Sequence, residues 1–153
     1  MKKIILKCLV FTAVIFITQK SLAQAMQRPA FNHQTIYVVD LQKGSDFYEN
    51  VMQLEKITEP FHDGRHTWFK IGEHSQLHVV SGAKEIIPHD INIHLAFSVA
   101  SLETFMKHLD DLQIKYGNWK ADSKAPQIRP DKIKQIYLQD PDGYWLEVND
   151  DKF

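Results

Sequence analysis

Three histidines and one glutamate of this 153-residue chain are candidate metal ligands, and each lies in a separate strand-like segment. They are His33, His78, His94 and Glu147. Successive side chains of a β-strand leave on opposite faces, and each of the four stands beside apolar residues that need the packed face. The parity predicts one shared open face for all four. Three imidazoles and a carboxylate suit one divalent ion, such as zinc, nickel, cobalt, iron or manganese.

Each of these residues, taken alone, also has an ordinary structural interpretation. His78 and Glu147 could be surface-facing strand residues, and His33 and His94 could be partly buried histidines bonded to backbone groups. Because all four stand at matching positions, the pattern favours the metal site.

The first 25 residues have the three regions of a secretory signal peptide. Lys2, Lys3 and Lys7 precede an apolar run over 8–17, and Ala23-Gln24-Ala25 has the form of a cleavage site. We therefore expect cleavage after Ala23 or Ala25 and export to the periplasm or the medium. A retained membrane anchor is the alternative, but the run is shorter than the roughly 18 residues that span a bilayer.

Without this leader, 128 residues remain, and we expect them to form one domain over 30–150. They carry 14 basic and 19 acidic residues, a formal charge of −5, so they lack the basic surface of a protein that binds nucleic acid or anionic membranes. The only cysteine, Cys8, lies in the leader. The mature chain can therefore form neither a disulfide nor a thiolate metal site.

The order strand, helix and three strands occurs twice, as module one over 31–82 and module two over 91–150, which predicts an α+β fold. In module one we expect strands at 33–39, 54–59, 65–71 and 76–80 and a helix over 41–53 that Asp40 caps. In module two we expect strands at 92–99, 114–119, 133–139 and 144–149 and a helix over 102–112 that Ser101 caps. The loop 120–132 is an insertion and a candidate flap.

Four motifs carry a resemblance to a known family: Asn32-His33 with Val38-Val39-Asp40-Leu41, Gln76-Leu77-His78, Ile93-His94-Leu95-Ala96-Phe97, and the closing run from Asp140 to Glu147, which reads DPDGYWLE. The chain resembles the vicinal-oxygen-chelate superfamily of glyoxalases, bleomycin and fosfomycin resistance proteins and ring-cleaving dioxygenases. Its closing motif is most similar to that of glyoxalase I, the lactoylglutathione lyase.

The resemblance implies two tandem βαβββ modules that form an open, cup-shaped mixed sheet around one divalent metal ion. It also implies a homodimer with ligands drawn from both subunits, and it places the ligands at the four residues found from parity. Glyoxalase I usually has glutamate or glutamine where this chain has His78.

The function expected from the resemblance is that of a glyoxalase-like lyase or isomerase. It would act on a small oxygen-chelating substrate through a metal-stabilised enediolate or oxyanion, with Glu147 as the catalytic base as well as a ligand. We expect substrate contacts from four side chains on the cavity face: Trp68, Lys70, Gln135 and Tyr137. One alternative is a non-haem ring-cleaving dioxygenase, which four protein ligands disfavour. The other is a resistance protein that binds a drug or metal without turnover.

Overall fold

A computed structural model describes residues 28–152 of the chain, so the predicted signal peptide lies outside the described residues. The folded unit begins at Phe31. Module one consists of β1 His33–Val38, α1 Leu41–Asp46, a π-helical segment Phe47–Val51, β2 Glu55–Ile57, β3 His66–Lys70 and β4 Gln76–Ser81. Module two consists of β5 His94–Ser98, α2 Leu102–Asp111, β6 Tyr116–Gly117, β7 Gln127–Ile128, β8 Lys134–Gln139 and β9 Trp145–Asn149.

The two modules form two mixed sheets with the same strand order. The first sheet runs β1-β4-β3-β2 and the second runs β5-β9-β8-β6, with β7 added beside β8. In each sheet the first and last strands of the module pair in parallel, and the other pairs are antiparallel. The predicted α+β fold with two βαβββ modules is confirmed, and β1 and β5 lie at sheet edges.

The alternation of buried and exposed residues along the strands follows the predicted parity. In β1, Ile36 and Val38 are 1% and 0% exposed, whereas His33 is exposed. The apolar faces of both sheets and the buried side of α2, with Leu102 and Leu109, join in one core that spans the two modules. Burial of these apolar side chains is the main source of stability. The opposite faces are left for polar chemistry.

One helix differs from the sequence prediction, and the second makes a contact that the sequence did not predict. The helix expected over 41–53 begins as predicted, with the Asp40 carboxylate accepting a hydrogen bond from the Lys43 amide at 3.1 Å, but it becomes a π-helix at Phe47. The His108 imidazole in α2 lies 3.2 and 3.1 Å from the carbonyl oxygens of Asn50 and Val51, so it satisfies acceptors that the helix end leaves free. Within residues 28–152, neither helix has the length and apolar character needed to cross a membrane.

The loop predicted as an insertion over 120–132 contains a short strand that the sequence analysis missed. Residues Gln127 and Ile128 pair antiparallel with Gln135 and Lys134 of β8. The segment lies between Pro126 and Pro130, so it is too short to show the alternation of apolar and polar residues by which a strand is recognised.

The closing motif joins the two modules through buried carboxylates. Asp140 accepts hydrogen bonds from the amides of Asp142 and Tyr144 through Oδ1, and from the hydroxyl of Tyr48 through Oδ2 at 2.9 Å. Asp142 accepts one from the amide of Val39 at 2.7 Å. Burial raises the pKa of Asp140 above its ordinary value. The motif thus attaches the turn before β9 to module one and fixes the start of the strand that carries Glu147.

Candidate metal centre

In module one, the two candidate ligands stand on neighbouring parallel strands with their rings stacked. His78 of β4 pairs with Thr35 of β1, two residues after His33. The ring centroids of His33 and His78 are 4.3 Å apart, at an interplanar angle of 11°. Nδ1 of His33 donates to the Asn32 side-chain oxygen at 2.7 Å, which leaves its Nε2 available. Nε2 of His78 is 2.9 Å from Oε1 of Gln76, so Nδ1 is its available nitrogen.

The second ring face of His78 is covered by Trp68 of β3. The two residues are cross-strand partners, and their ring centroids are 3.8 Å apart at an interplanar angle of 2°. Burial lowers the pKa of His78, and the nearby imidazoles of His33 and His66 lower it further when they are protonated. His78 is therefore kept in the neutral form that binds metal.

In module two, a histidine and a glutamate occupy the equivalent strand positions. Glu147 of β9 pairs with Ala96 of β5, two residues after His94, and Nε2 of His94 lies 3.4 Å from Oε2 of Glu147. The carbonyl oxygen of Ile91 can only accept, so Nδ1 of His94, at 2.7 Å, donates to it. Nε2 is therefore the nitrogen of His94 that faces the carboxylate oxygen. A proton or a metal ion between the two atoms stabilises such a contact.

Glu147 is buried, with 7% of its surface exposed, and donors approach both of its oxygens. The Tyr137 hydroxyl donates to Oε2 at 2.7 Å, and the Asn149 side-chain amide donates to Oε1 at 2.8 Å. A guanidinium nitrogen of Arg129 is 4.0 Å from Oε1. Burial raises the pKa of Tyr137, and the hydrogen bond and charge of Glu147 raise it further. The tyrosine therefore stays protonated and remains a donor.

Comparison with known proteins identifies the family. The model of the Glyoxalase/Bleomycin resistance protein/Dioxygenase superfamily matches residues 30–148. This chain belongs to that superfamily.

Relatives within this superfamily have several activities. The chain is 23% identical over 150 residues to a lactoylglutathione lyase from Pseudomonas putida, a match that covers 77% of this chain and 83% of the relative. Among solved structures, it is similar to a glyoxalase/dioxygenase from Nostoc punctiforme, with 22% identity, a TM-score of 0.65 and coverage of 81% and 92% of the two chains. A fosfomycin resistance protein from Listeria monocytogenes gives 20% identity, a TM-score of 0.63 and coverage of 84% and 94%. At these identities, the solved structures show the fold.

The four predicted ligands of this superfamily member form two pairs within one chain. Across residues 28–152, no group of three or more His, Cys, Asp or Glu side chains comes together as a metal site. The donor types nevertheless fit a borderline divalent ion, since Nε2 of His94 lies 3.4 Å from a carboxylate oxygen of Glu147 and His33 and His78 each keep an available nitrogen. Each module supplies one pair of the predicted ligands.

The four predicted substrate contacts are distributed unevenly around these pairs. Trp68 lies on His78, Tyr137 bonds to Glu147, and Gln135 is buried and donates to the Tyr137 oxygen at 2.7 Å. Lys70 is 52% exposed, and its ammonium lies 4.0 Å from Glu55.

Two neighbours of Glu147 were missed by sequence reasoning. Asn149 has the same strand parity as Glu147 and could have been found by that signal. Arg129 belongs to the loop before β8, where no periodicity places a side chain.

Proposed function

We propose that this chain is a divalent-metal-dependent lyase or isomerase of glyoxalase type that acts on a small oxygen-chelating substrate. The observation that carries the proposal is the equivalence of the two pairs, each on the first and last strands of its module and in the same register. His33, His78, His94 and Glu147 would hold the ion. When bound, the ion supplies Lewis-acid stabilisation of negative charge that develops on a substrate oxygen.

We further propose that the complete ligand set forms between two copies of the chain. His33 and His78 of one copy would face His94 and Glu147 of the second, and twofold symmetry would make two equal sites. The sheet edges support this arrangement, because residues on or beside the edge strands β1 and β5 leave apolar side chains exposed: Tyr37 is 48%, Val39 43% and Ile93 75% exposed. Exposed apolar groups beside unpaired strand edges favour association.

Glu147 is the group of this chain best suited to take a proton from a carbon next to a substrate carbonyl. It is a buried carboxylate that accepts hydrogen bonds from Tyr137 and Asn149 and lies beside His94. The aromatic wall of Trp68 and His78, contributed by the other copy, would help to exclude water from the same space.

The predicted export bears on the choice of substrate. If residues 1–25 direct secretion, the enzyme acts outside the reducing thiol pool of the cytosol. We therefore favour an oxygen-chelating substrate other than a glutathione adduct.

Elemental analysis of the purified mature protein tests the metal site first. We expect about one borderline divalent ion per chain, as two equal sites in a twofold dimer require. His94→Ala should lose the ion, whereas His74→Ala should retain it because His74 is an exposed histidine.

A methylglyoxal–thiol assay with the metal found then tests turnover. A lyase or isomerase should convert the hemithioacetal or a related 2-oxo compound. Oxygen consumption with a catechol and Fe(II) would instead favour the dioxygenase, and tight ligand binding without turnover would favour a resistance protein.

A further inference from the structure

We propose that Tyr137 and Asn149 are positioning residues that fix the carboxylate of Glu147, so that its Oε2 is presented beside His94 to the metal ion. The inference rests on the proposed metal function and assigns roles within that site. Tyr137 then acts on the carboxylate as well as lining the cavity.

The two donors engage different oxygens of the same carboxylate. Tyr137 donates to Oε2 and Asn149 donates to Oε1, at 2.7 and 2.8 Å. Two bonds on opposite oxygens fix the rotation of the carboxylate about its terminal bond. Oε2 is also the oxygen that lies 3.4 Å from Nε2 of His94. The fixed orientation therefore directs Oε2 toward Nε2 of His94.

Each donor is itself held by a further hydrogen bond, from its own strand β8 for Tyr137 and from the neighbouring strand β5 for Asn149. Gln135 donates to the Tyr137 oxygen at 2.7 Å, and Ser98 donates to the Asn149 side-chain oxygen at 3.0 Å. Gln135 and Ser98 are the cross-strand partners of Asn149 in β8 and β5, and Tyr137 is the partner of Glu147. The whole network lies on one face of three adjacent strands, so the backbone register builds it without a loop.

The side chains of this hydrogen-bond network are almost completely buried. Tyr137 is 3% exposed, and Gln135 and Asn149 are each 5% exposed. Oε1 of Gln135 is buried and has no hydrogen-bond partner among the described residues. A buried acceptor without a partner lowers stability. The Gln135 amide nevertheless takes the orientation that donates to Tyr137 and leaves its own oxygen without a partner. An apolar residue at position 135 would avoid that cost but would leave the Tyr137 oxygen without its donor.

Module one supplies an internal control for this reasoning. The residue equivalent to Tyr137 is Trp68, the cross-strand partner of His78, and its Nε1 is buried without a partner within residues 28–152. There the ligand is an imidazole, which stacks on Trp68 and itself donates a hydrogen bond to Gln76, so it requires no donors. The donors accompany the carboxylate ligand, as expected if they serve it.

The test is a Co(II) titration of the metal-free protein, followed by visible absorption, which reports ligand geometry as well as affinity. Tyr137→Phe should weaken Co(II) binding by about 10–100-fold and change the absorption spectrum. Asn149→Ala should weaken binding in the same direction. Tyr116→Phe is the matched control, since it removes a tyrosine hydroxyl of the same sheet that bonds to Asp110 on the exposed surface.

Thermal unfolding of the metal-free variants separates folding from positioning. Gln135→Met leaves both bonds to Glu147 possible and should give a smaller loss of affinity than Tyr137→Phe, which supplies a second measurement if Tyr137→Phe does not fold. Wild-type affinity and spectrum in folded Tyr137→Phe or Asn149→Ala, with Co(II) bound by the wild type, would overturn the positioning role alone. Failure of the wild type to bind Co(II) would overturn the proposed function itself.

Discussion

The two ligand pairs occupy equivalent positions in the two modules but are supported in different ways. In module one, His33 and His78 stack on each other, Trp68 covers His78, and each of the two imidazoles donates one hydrogen bond to a side-chain amide oxygen. In module two, His94 and Glu147 are held by hydrogen bonds, with a carbonyl behind the imidazole and two donors on the carboxylate. The repeated topology sets where a ligand stands, and the neighbouring side chains set how it is held.

The difference follows from the chemistry of the ligand on the last strand. A buried carboxylate needs hydrogen-bond donors or a positive charge close by, because taking it out of water is costly. A neutral imidazole can be buried against aromatic rings at little cost, and its lowered pKa keeps it neutral.

Among variants that test the two ligand pairs, we expect the largest effect, on turnover, from Glu147→Gln. An amide keeps the shape of the side chain but cannot take a proton, so turnover should fall by about 100–10,000-fold. Part of the metal binding should remain, because three imidazoles are unchanged. Steady-state kinetics and metal analysis on the same preparation check both expectations, and undiminished activity would remove Glu147 from the proton transfer.

We expect a smaller effect, on stability, from a variant that weakens the contact between the two modules. Tyr48→Phe removes the donor to the buried Oδ2 of Asp140, which should lower the free energy of unfolding by about 1–3 kcal/mol. Denaturant unfolding measures this loss. Tyr37→Phe is the control, since the ring of Tyr37 is half exposed. An equal loss of stability in both variants would contradict a specific contribution from the buried hydrogen bond.

Trp68→Leu tests the stacking in module one. Aromatic pairs contribute about 0.5–1.5 kcal/mol beyond their buried area, so Co(II) affinity should fall by roughly tenfold at most. This is a weaker effect than we expect for Tyr137→Phe in module two. A larger loss for Trp68→Leu than for Tyr137→Phe would reverse the proposed order of the two supports.

The pH dependence gives the smallest expected effect. Burial lowers the pKa of His78 below its ordinary value of about 6.5. In the window between the folded and unfolded pKa values, the unfolded chain binds more protons, so stability of the metal-free protein falls as pH decreases through it. His78→Gln should make that slope shallower, and NMR titration should show that His78 has a pKa below the ordinary histidine value of about 6.5. A pKa of His78 at or above that value would contradict the effect of burial.

Much of the fold follows from patterns with a strict period. Strand alternation agrees with the burial of Ile36 and Val38 and the exposure of His33, and α2 begins at Leu102 with Ser101 as its N-cap, as predicted. The π-helical segment after Asp46 and the two-residue strand β7 were missed, because neither has a period long enough to recognise.

The candidate site was predictable to a lesser degree. Parity shows from which face of its own sheet a side chain projects. It does not show which surface of another sheet that face approaches, so the separation of the four ligands into two pairs could not be derived. The same rule placed Gln135 and Tyr137 on the cavity face without choosing Glu147 as the target of the hydroxyl. Arg129 reaches Glu147 from a loop, and loop geometry follows no sequence period.

The most direct test of a metal site shared between two copies is complementation between two inactive variants. One carries His33→Ala with His78→Ala and the other carries His94→Ala with Glu147→Gln, so each homodimer lacks half of every ligand set. In a co-expressed mixture, half of the dimers should be mixed and each should regain one intact site, giving about a quarter of the wild-type metal content per chain. A mixture that binds no more metal than the separate variants would contradict the shared site.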